Sequence, residues 1–321
     1  MSDEVPDLAD VRAAAARIWS VAVRTPLLRS DALDELTGGR VFLKAECLQL
    51  TGSFKFRGAY NRLAALEKGE RKAGVVAFSS GNHAQGVARA AKLLDIAATI
   101  VMPGDAPAMK VERTRADGAE VVLYDRLTES REEIAARLAA ERGATLVPSF
   151  DDPFIVAGQG TAGLEIAEDL SALGLRADMA VVCCGGGGLS SGIALALADA
   201  DIVLAEPEGY GDAGASMWSG RIEEVSTPGK TLCDALQTFR ISPLTFGLLS
   251  ARGAKGATVS DDEVRAAMRF AFQELKLVVE PGGAAALAAL LADKVDVAGK
   301  VVAVTLSGGN VDAVTFAACM A

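Results

Sequence analysis

One lysine, Lys55, stands between two phenylalanines in the run Thr51-Gly-Ser-Phe-Lys-Phe-Arg-Gly-Ala59. An amine placed among apolar side chains at a helix start has a lowered pKa, and the neutral form is what an imine-forming nucleophile requires. The plainer reading is a stem lying on apolar surface with its charge in water. Gly185 to Gly188, followed by Leu189, sit between an apolar run ending at Cys184 and an Ala/Leu-rich segment. Four glycines let the backbone fold closely around an anion, aiming N–H groups and a helix N-terminus at a phosphate, or make no more than a tight turn. The segment has neither a P-loop ending nor a good dinucleotide fingerprint. Ser79-Ser80-Gly81-Asn82-His83 places hydroxyls and an amide where a strand gives way to a helix, which suits a carboxylate and equally suits N-capping. Thr305-Leu-Ser307-Gly308-Gly309-Asn310 repeats the pattern more weakly.

A separate acidic run, Glu206-Pro-Glu-Gly-Tyr210-Gly-Asp212, offers a glutamate, a backbone carbonyl four residues on and an aspartate two further. That set fits a hard, oxygen-liganded cation, although acidic turns are also ordinary surface. His83 is the one histidine, which rules out a multi-histidine metal site and leaves a single imidazole for any serine triad. A packed or orienting ring is the expectation for it. Five cysteines, an odd number with no CxxC pair, suggest neither a disulfide framework nor a zinc ribbon.

These groups need elements to position them. Apolar, β-branched runs predict strands at 41–45, 74–79, 98–102, 119–124, 179–183, 201–205 and 300–306. Between them, apolar residues at three- and four-residue spacing predict helices such as 128–142, 160–173 and 261–275. The alternation indicates an α/β fold with a largely parallel sheet covered on both faces. The expected division is a small inserted unit at 71–149 within a larger unit built from 1–70 and 150–321. Pro148 to Pro153 reads as the crossover, with Gly158-Gln-Gly-Thr161 opening the next helix.

The 321 residues carry 42 acidic and 32 basic side chains, a net charge of −10, without a basic block. Nucleic acid and anionic lipid are therefore not the expected partners. No window approaches the roughly 20 apolar residues of a membrane span, and the acidic N-terminus lacks a signal-peptide layout, so a cytoplasmic protein is expected.

Six segments, in order, resemble the serine/threonine dehydratase and serine racemase family of pyridoxal-phosphate enzymes, whose fold is tryptophan-synthase-β-like. They are Ser-Phe-Lys-Phe-Arg-Gly-Ala-Tyr-Asn, Ser-Ser-Gly-Asn-His, Ala157-Gly-Gln-Gly-Thr161, Gly-Gly-Gly-Gly-Leu, Glu280-Pro-Gly-Gly and Ser-Gly-Gly-Asn. Serine-sulfhydrylase relatives carry a different set around the lysine, which favours the dehydratase/racemase branch. The resemblance implies two three-layer, parallel-sheet domains with the active site between them. It further implies that Lys55 holds pyridoxal 5'-phosphate and, once displaced by substrate, removes the α-proton. Gly185, Gly186, Gly187, Gly188 and Leu189 would cradle the phosphate, with Phe54, Asn82, Glu280, Ser307 and Gly308 around the rest of the cofactor. Ser80 would be the acid/base on the opposite face. Ser79, Ser80, Gly81, Asn82, His83, Arg131 and Thr238 would bind substrate. Glu206, the Tyr210 carbonyl and Asp212 match a Mg²⁺ or Ca²⁺ site.

A hydroxyl at Ser307 would not hold the ring nitrogen protonated as an aspartate would. That weakens the electron sink and favours loss of a β-hydroxyl with, or just after, proton removal. The implied reaction is dehydration and deamination of a small 3-hydroxy amino acid, L-threonine or L-serine first, giving a 2-oxo acid and ammonia. The alternatives are a serine or aspartate racemase, a 3-hydroxyaspartate dehydratase, and a catalytically silent relative. A nicotinamide-dependent dehydrogenase is disfavoured because the Gly185 loop lacks spaced glycines. Ala235, where relatives carry glycine, would narrow the pocket. A homodimer without a C-terminal regulatory domain is expected.

Overall fold

The apolar runs become strands wherever both faces can be covered. A computed structural model describes residues 5–79, 81–106 and 108–321; the side chain of Met109 is likewise not described. Ser80, the expected second acid/base, lies outside the described residues. The strands are β1 (Leu27–Arg29), β2 (Arg40–Lys44), β3 (Val75–Phe78), β4 (Ala98–Pro103), β5 (Glu120–Tyr124), β6 (Thr145–Leu146), β7 (Met179–Cys183), β8 (Asp201–Pro207), β9 (Lys255–Val259) and β10 (Val301–Thr305). They form a six-stranded sheet in the order β1-β2-β10-β7-β8-β9 and a four-stranded sheet in the order β5-β4-β3-β6. Every pairing is parallel except β1 with β2 at one edge.

Alternate strand residues face opposite apolar clusters, as a three-layer arrangement demands. On the larger sheet Val181, Val203 and Val304 pack with the helices Asp261–Leu275 and Pro281–Leu291. Val182, Leu204 and Ala303 pack on the other side with Leu170, Ile193 and Leu249. On the smaller sheet Ala77 and Ile100 meet Phe56 and Val87, while Val76 and Val101 meet Leu138.

The seven expected strands appear within two residues of their expected ends. β1, β6 and β9 were not foreseen. Two are three residues or shorter, and β9 is an edge strand with Lys255, Gly256 and Thr258 exposed. One helix boundary is corrected: the helix expected from Gly158 begins at Pro153 and runs to Ala172. Asp152 caps it by accepting from the Ile155 N–H, and proline at the first helical position needs no hydrogen-bond partner.

Gly158 and Gly160 therefore lie inside that helix, where backbones touch. A Cβ on Gly158 would come within 2.6 Å of Gly58 Cα, and one on Gly192 within 2.4 Å of Gly160 N. The Pro153–Ala172 helix is thereby held against both the Lys55–Ala64 and Gly188–Ala196 helices. All five cysteines are buried and free. Among the described residues no helix is long and apolar enough to cross a membrane.

Gly192→Ala should lower stability by about 1–3 kcal/mol in urea denaturation, because a backbone rather than a flexible side chain must yield. Gly69→Ala, whose Cβ would meet nothing within 4 Å on a surface helix, should instead stabilise by roughly 0.4–1 kcal/mol.

Candidate active site

Parallel strands converge their carboxyl ends on one side of each sheet, and a cavity of about 760 Å³ opens there. The turns after β3, β7 and β10 supply much of its wall. Phe54, Lys55, Ser79, Gly81, Asn82, His83, Arg131, Gly185 to Gly188, Leu189, Thr238, Glu280 and Ser307 all line it. Gly308 stands just behind, where an added Cβ would come within 2.1 Å of Glu280 Oε1. Glu206, Tyr210 and Asp212 are not part of the wall.

Lys55 is the first residue of its helix, and what fixes it is Arg57. That guanidinium is fully buried and reaches two carboxylates: Nε and Nη2 each donate to Glu46 at 2.8 Å, and Nη1 and Nη2 to Glu165 at 2.7 and 2.8 Å. Lys44, on β2 and also buried, pairs with Glu165 at 2.6 Å and donates to the Thr25 carbonyl at 2.7 Å. Two cations and two anions thus join β2, the turn after it, the Lys55 helix and the Pro153–Ala172 helix. The lysine motif contains Arg57 but not its carboxylate partners, which lie 11 and 108 residues away.

Among the described residues Lys55 has no such partner. Its Nζ donates to the Ser149 carbonyl at 3.1 Å and lies 5.2 Å from the centre of the Phe54 ring. Burial without a counter-charge pushes its pKa down to about 8. Segment 53–54 pairs with 307–308: Ser53 and Gly308 form an antiparallel bridge, and Phe54 N–H donates to the Ser307 carbonyl at 3.2 Å. Lys55 and the buried Ser307 are thereby tied to one strip of backbone.

Gly187 takes a φ of +86°, which a side chain would strain, and the Gly188–Ala196 helix starts immediately after it. Among the described residues nothing accepts from the N–H groups of Gly185 through Ser190. Added Cβ atoms would collide with the Phe150 ring at Gly186 (2.2 Å) and with Thr245 at Gly187 (2.9 Å). Phe150, which presses on this loop, belongs to the expected crossover 148–153 and carries no local signal of that contact.

Asn82 is held from two sides. Its Nδ2 donates to Glu280 Oε1 at 2.6 Å, and its Oδ1 accepts from Asn310 Nδ2 at 2.8 Å. Asn310 closes the Ser-Gly-Gly-Asn segment, and its partner Asn82 lies 228 residues away. Burial, then the charge of Asp234, raises the Glu280 pKa to about 8. The His83 ring is buried, with Nε2 3.0 Å from the Val147 carbonyl, and burial followed by the Lys55 charge pushes its pKa down to about 3. A neutral, packed imidazole results. Gly81 N–H donates to Ser79 Oγ at 3.1 Å. Arg131 begins the Arg131–Arg142 helix at the rim, over the Phe78 ring at 5.5 Å and paired with Glu132 at 2.8 Å. Cys183 lines the cavity, its thiol donating to the carbonyls of Gly283 (3.4 Å) and Thr305 (3.6 Å).

The acidic run ends β8 and starts the Asp212–Ser219 helix. Both oxygens of buried Glu206 accept from that helix, from Ala213 N–H at 2.9 Å and Gly214 N–H at 2.8 Å. Asp212 Oδ2 is buried without a hydrogen-bond partner among the described residues. Burial raises both carboxyls, Glu206 to about 8 and Asp212 to about 7. No three His, Cys, Asp or Glu side chains gather as metal donors among the described residues.

The model of the pyridoxal-phosphate dependent enzyme family matches residues 18–308. An L-threo-3-hydroxyaspartate ammonia-lyase from a Pseudomonas species is 48% identical, covering 97% of both chains. An L-threonine ammonia-lyase of Thermotoga maritima is 44% identical over 95% of this chain and 76% of its own. The solved structure of maize serine racemase superposes with a TM-score of 0.92 at 37% identity, covering 99% of this chain and 97% of that one. With its lysine, glycine loop and serine gathered in one cavity, the chain belongs to the pyridoxal-phosphate dependent enzymes.

Proposed function

We propose that the chain eliminates the β-hydroxyl of a small 3-hydroxy amino acid, giving a 2-oxo acid and ammonia. The observation that carries this reading is the shared cavity of an amine kept near neutrality, Lys55, and a hydroxyl rather than a carboxylate, Ser307. Residues 71–149, which carry the smaller sheet, would be the mobile cover, and 1–70 with 150–321 the cofactor-binding unit. The relatives named above include ammonia-lyases and a racemase, so racemisation on the same scaffold is the second reading.

The residues fit pyridoxal phosphate. Six consecutive N–H groups without an acceptor among the described residues, at a helix start whose glycines pack closely on Phe150 and Thr245, suit its phosphate. When bound, the cofactor supplies the electron sink that makes the α-hydrogen acidic and lets the β-substituent leave. Lys55, its proton lost above about pH 8, is the base at the α-carbon. Ser307 would meet the ring nitrogen with a hydroxyl, which does not hold it protonated as a carboxylate would. Asn82, clamped by Asn310 and Glu280, would hold the ring oxygen. Ser79, Gly81 and the backbone at His83 would hold the substrate carboxylate, with Thr238 and Arg131 toward the mouth and Ser80 as the second acid.

We further propose that Glu206, the Tyr210 carbonyl and Asp212 hold Mg²⁺ or Ca²⁺. Two buried carboxylates, one with an unpartnered oxygen, carry an electrostatic cost that a hard cation relieves.

The purified protein should be yellow, and borohydride should fix a covalent adduct on Lys55; an adduct on another lysine sinks the assignment. Lys55→Ala should lower turnover by about 10²–10⁴-fold or more. A panel of L- and D-hydroxy amino acids, followed for both 2-oxo acid and enantiomer, separates elimination from racemisation. Glu280 supplies a pH test. Its folded pKa of about 8 lies above the ordinary 4.5, so the stability it contributes is complete below pH 4.5 and is lost as pH rises through 8. Glu280→Gln should therefore gain on the parent between pH 5.5 and 8.5 in urea denaturation; an unchanged difference rejects the burial argument. Mg²⁺ or Ca²⁺ should raise the melting temperature of the chelator-treated parent, and Asp212→Asn should lose that rise. No rise in the parent excludes the cation.

A further inference from the structure

Lys110 enters the cavity from the Ala108–Ala116 helix, next to the smaller sheet. Its side chain is only 17% exposed, and its ammonium is 2.8 Å from Asp234 Oδ2. Asp234 lies on the other side, in the short turn Asp234–Leu236, and its carboxylate is 58% exposed. Among the described residues this is the one ion pair that joins residues 71–149 to the rest of the chain. A cation turned into a cavity and matched by a solvated carboxylate is poised for exchange. The carboxylate loses little by returning to water, while the ammonium, drawn out of water, must keep an anion.

Arg131 is the other cation at the rim, and its circumstances differ. Its side chain is 44% exposed, it lies over Phe78, and its neighbour Glu132 already pairs with it. Lys110 is the better-shielded charge, and it also reaches the buried carboxyl of Glu280 electrostatically.

We infer that Lys110 is a specificity-determining residue that binds the side-chain carboxylate of a dicarboxylic 3-hydroxy amino acid, with Asp234 holding the ammonium until such a substrate displaces it. This rests on the elimination reading above and narrows its substrate class. A substrate without a second carboxylate leaves the Lys110–Asp234 pair intact and gains nothing from it.

The test compares the parent holoenzyme with Lys110→Met, Arg131→Met and Asp234→Asn. The ratio of kcat/KM for L-threo-3-hydroxyaspartate to that for L-serine should fall about 10- to 100-fold in Lys110→Met, the loss of one charge-assisted contact. It should fall less in Arg131→Met and not fall in Asp234→Asn. A ratio within threefold of the parent in Lys110→Met, or a larger fall in Arg131→Met, overturns the assignment. Lys110→Arg, which keeps the charge, should restore most of the ratio; failure to do so while the fold is intact by circular dichroism also counts against it. If the parent converts neither amino acid, the elimination reading falls. The assignment is then judged by succinate binding to the holoenzyme. Affinity at least tenfold weaker in Lys110→Met and undiminished in Asp234→Asn supports it; equal affinity in parent and Lys110→Met, or no binding to the parent, overturns it.

Discussion

A guanidinium removed from water must find anions at close range, and Arg57 finds two carboxylates in bidentate geometry, two residues beyond Lys55. Removing it would leave the buried Glu46 without its ion-pair partner and Glu165 paired with Lys44 alone. The four charges must therefore assemble together. When they do, they lock the start of the Lys55 helix against β2 and the Pro153–Ala172 helix. The glycine contacts at 58/158 and 160/192 act in the same direction, since they let those helices approach closely enough for the charged side chains to meet.

Two fates of buried cations lie side by side in this arrangement. Arg57 is desolvated and paired, so it stays charged. Lys55 is desolvated and has only a carbonyl oxygen at 3.1 Å, so its proton is loosely held. The contrast is made by partners, not by depth, because both belong to one helix turn. A comparable division separates the anions: Glu165 sits with Arg57 and Lys44 and is held below the ordinary carboxylate range although burial opposes it, while Glu280, hydrogen-bonded to an amide rather than to a cation, is pushed up by burial and by the charge of Asp234.

The sequence was most legible where local chemistry repeats. Valine-rich strands, the glycine loop and the lysine motif can each be read from a window of ten residues, and the fold follows from their alternation. Legibility ended where a residue's role depends on a distant one. Nothing near Arg57 announces Glu165, nothing near Asn82 announces Asn310, and Phe150 has no local sign of lying over Gly186. The start of the helix at Pro153 was missed for a related reason. Glycines at 158 and 160 look like a helix opening until the neighbouring helices that require them are in view. Short edge strands such as β1 and β6 lack enough residues to form a pattern at all.

The buried cysteines bear on selectivity. Thiolates add to carbonyl compounds readily, and Cys183 lines the same cavity as Lys55. Burial raises the pKa of all five thiols, that of Cys47 to about 12, so at neutral pH they remain thiols. Cys183 also turns its hydrogen toward two backbone carbonyls. Lys110, the other amine on the wall, is tied up in an ion pair with Asp234 at 2.8 Å. An aldehyde that arrives in this cavity therefore meets several potential nucleophiles, of which Lys55 alone is poised to react. The chemoselectivity comes from silencing its rivals as much as from activating the lysine.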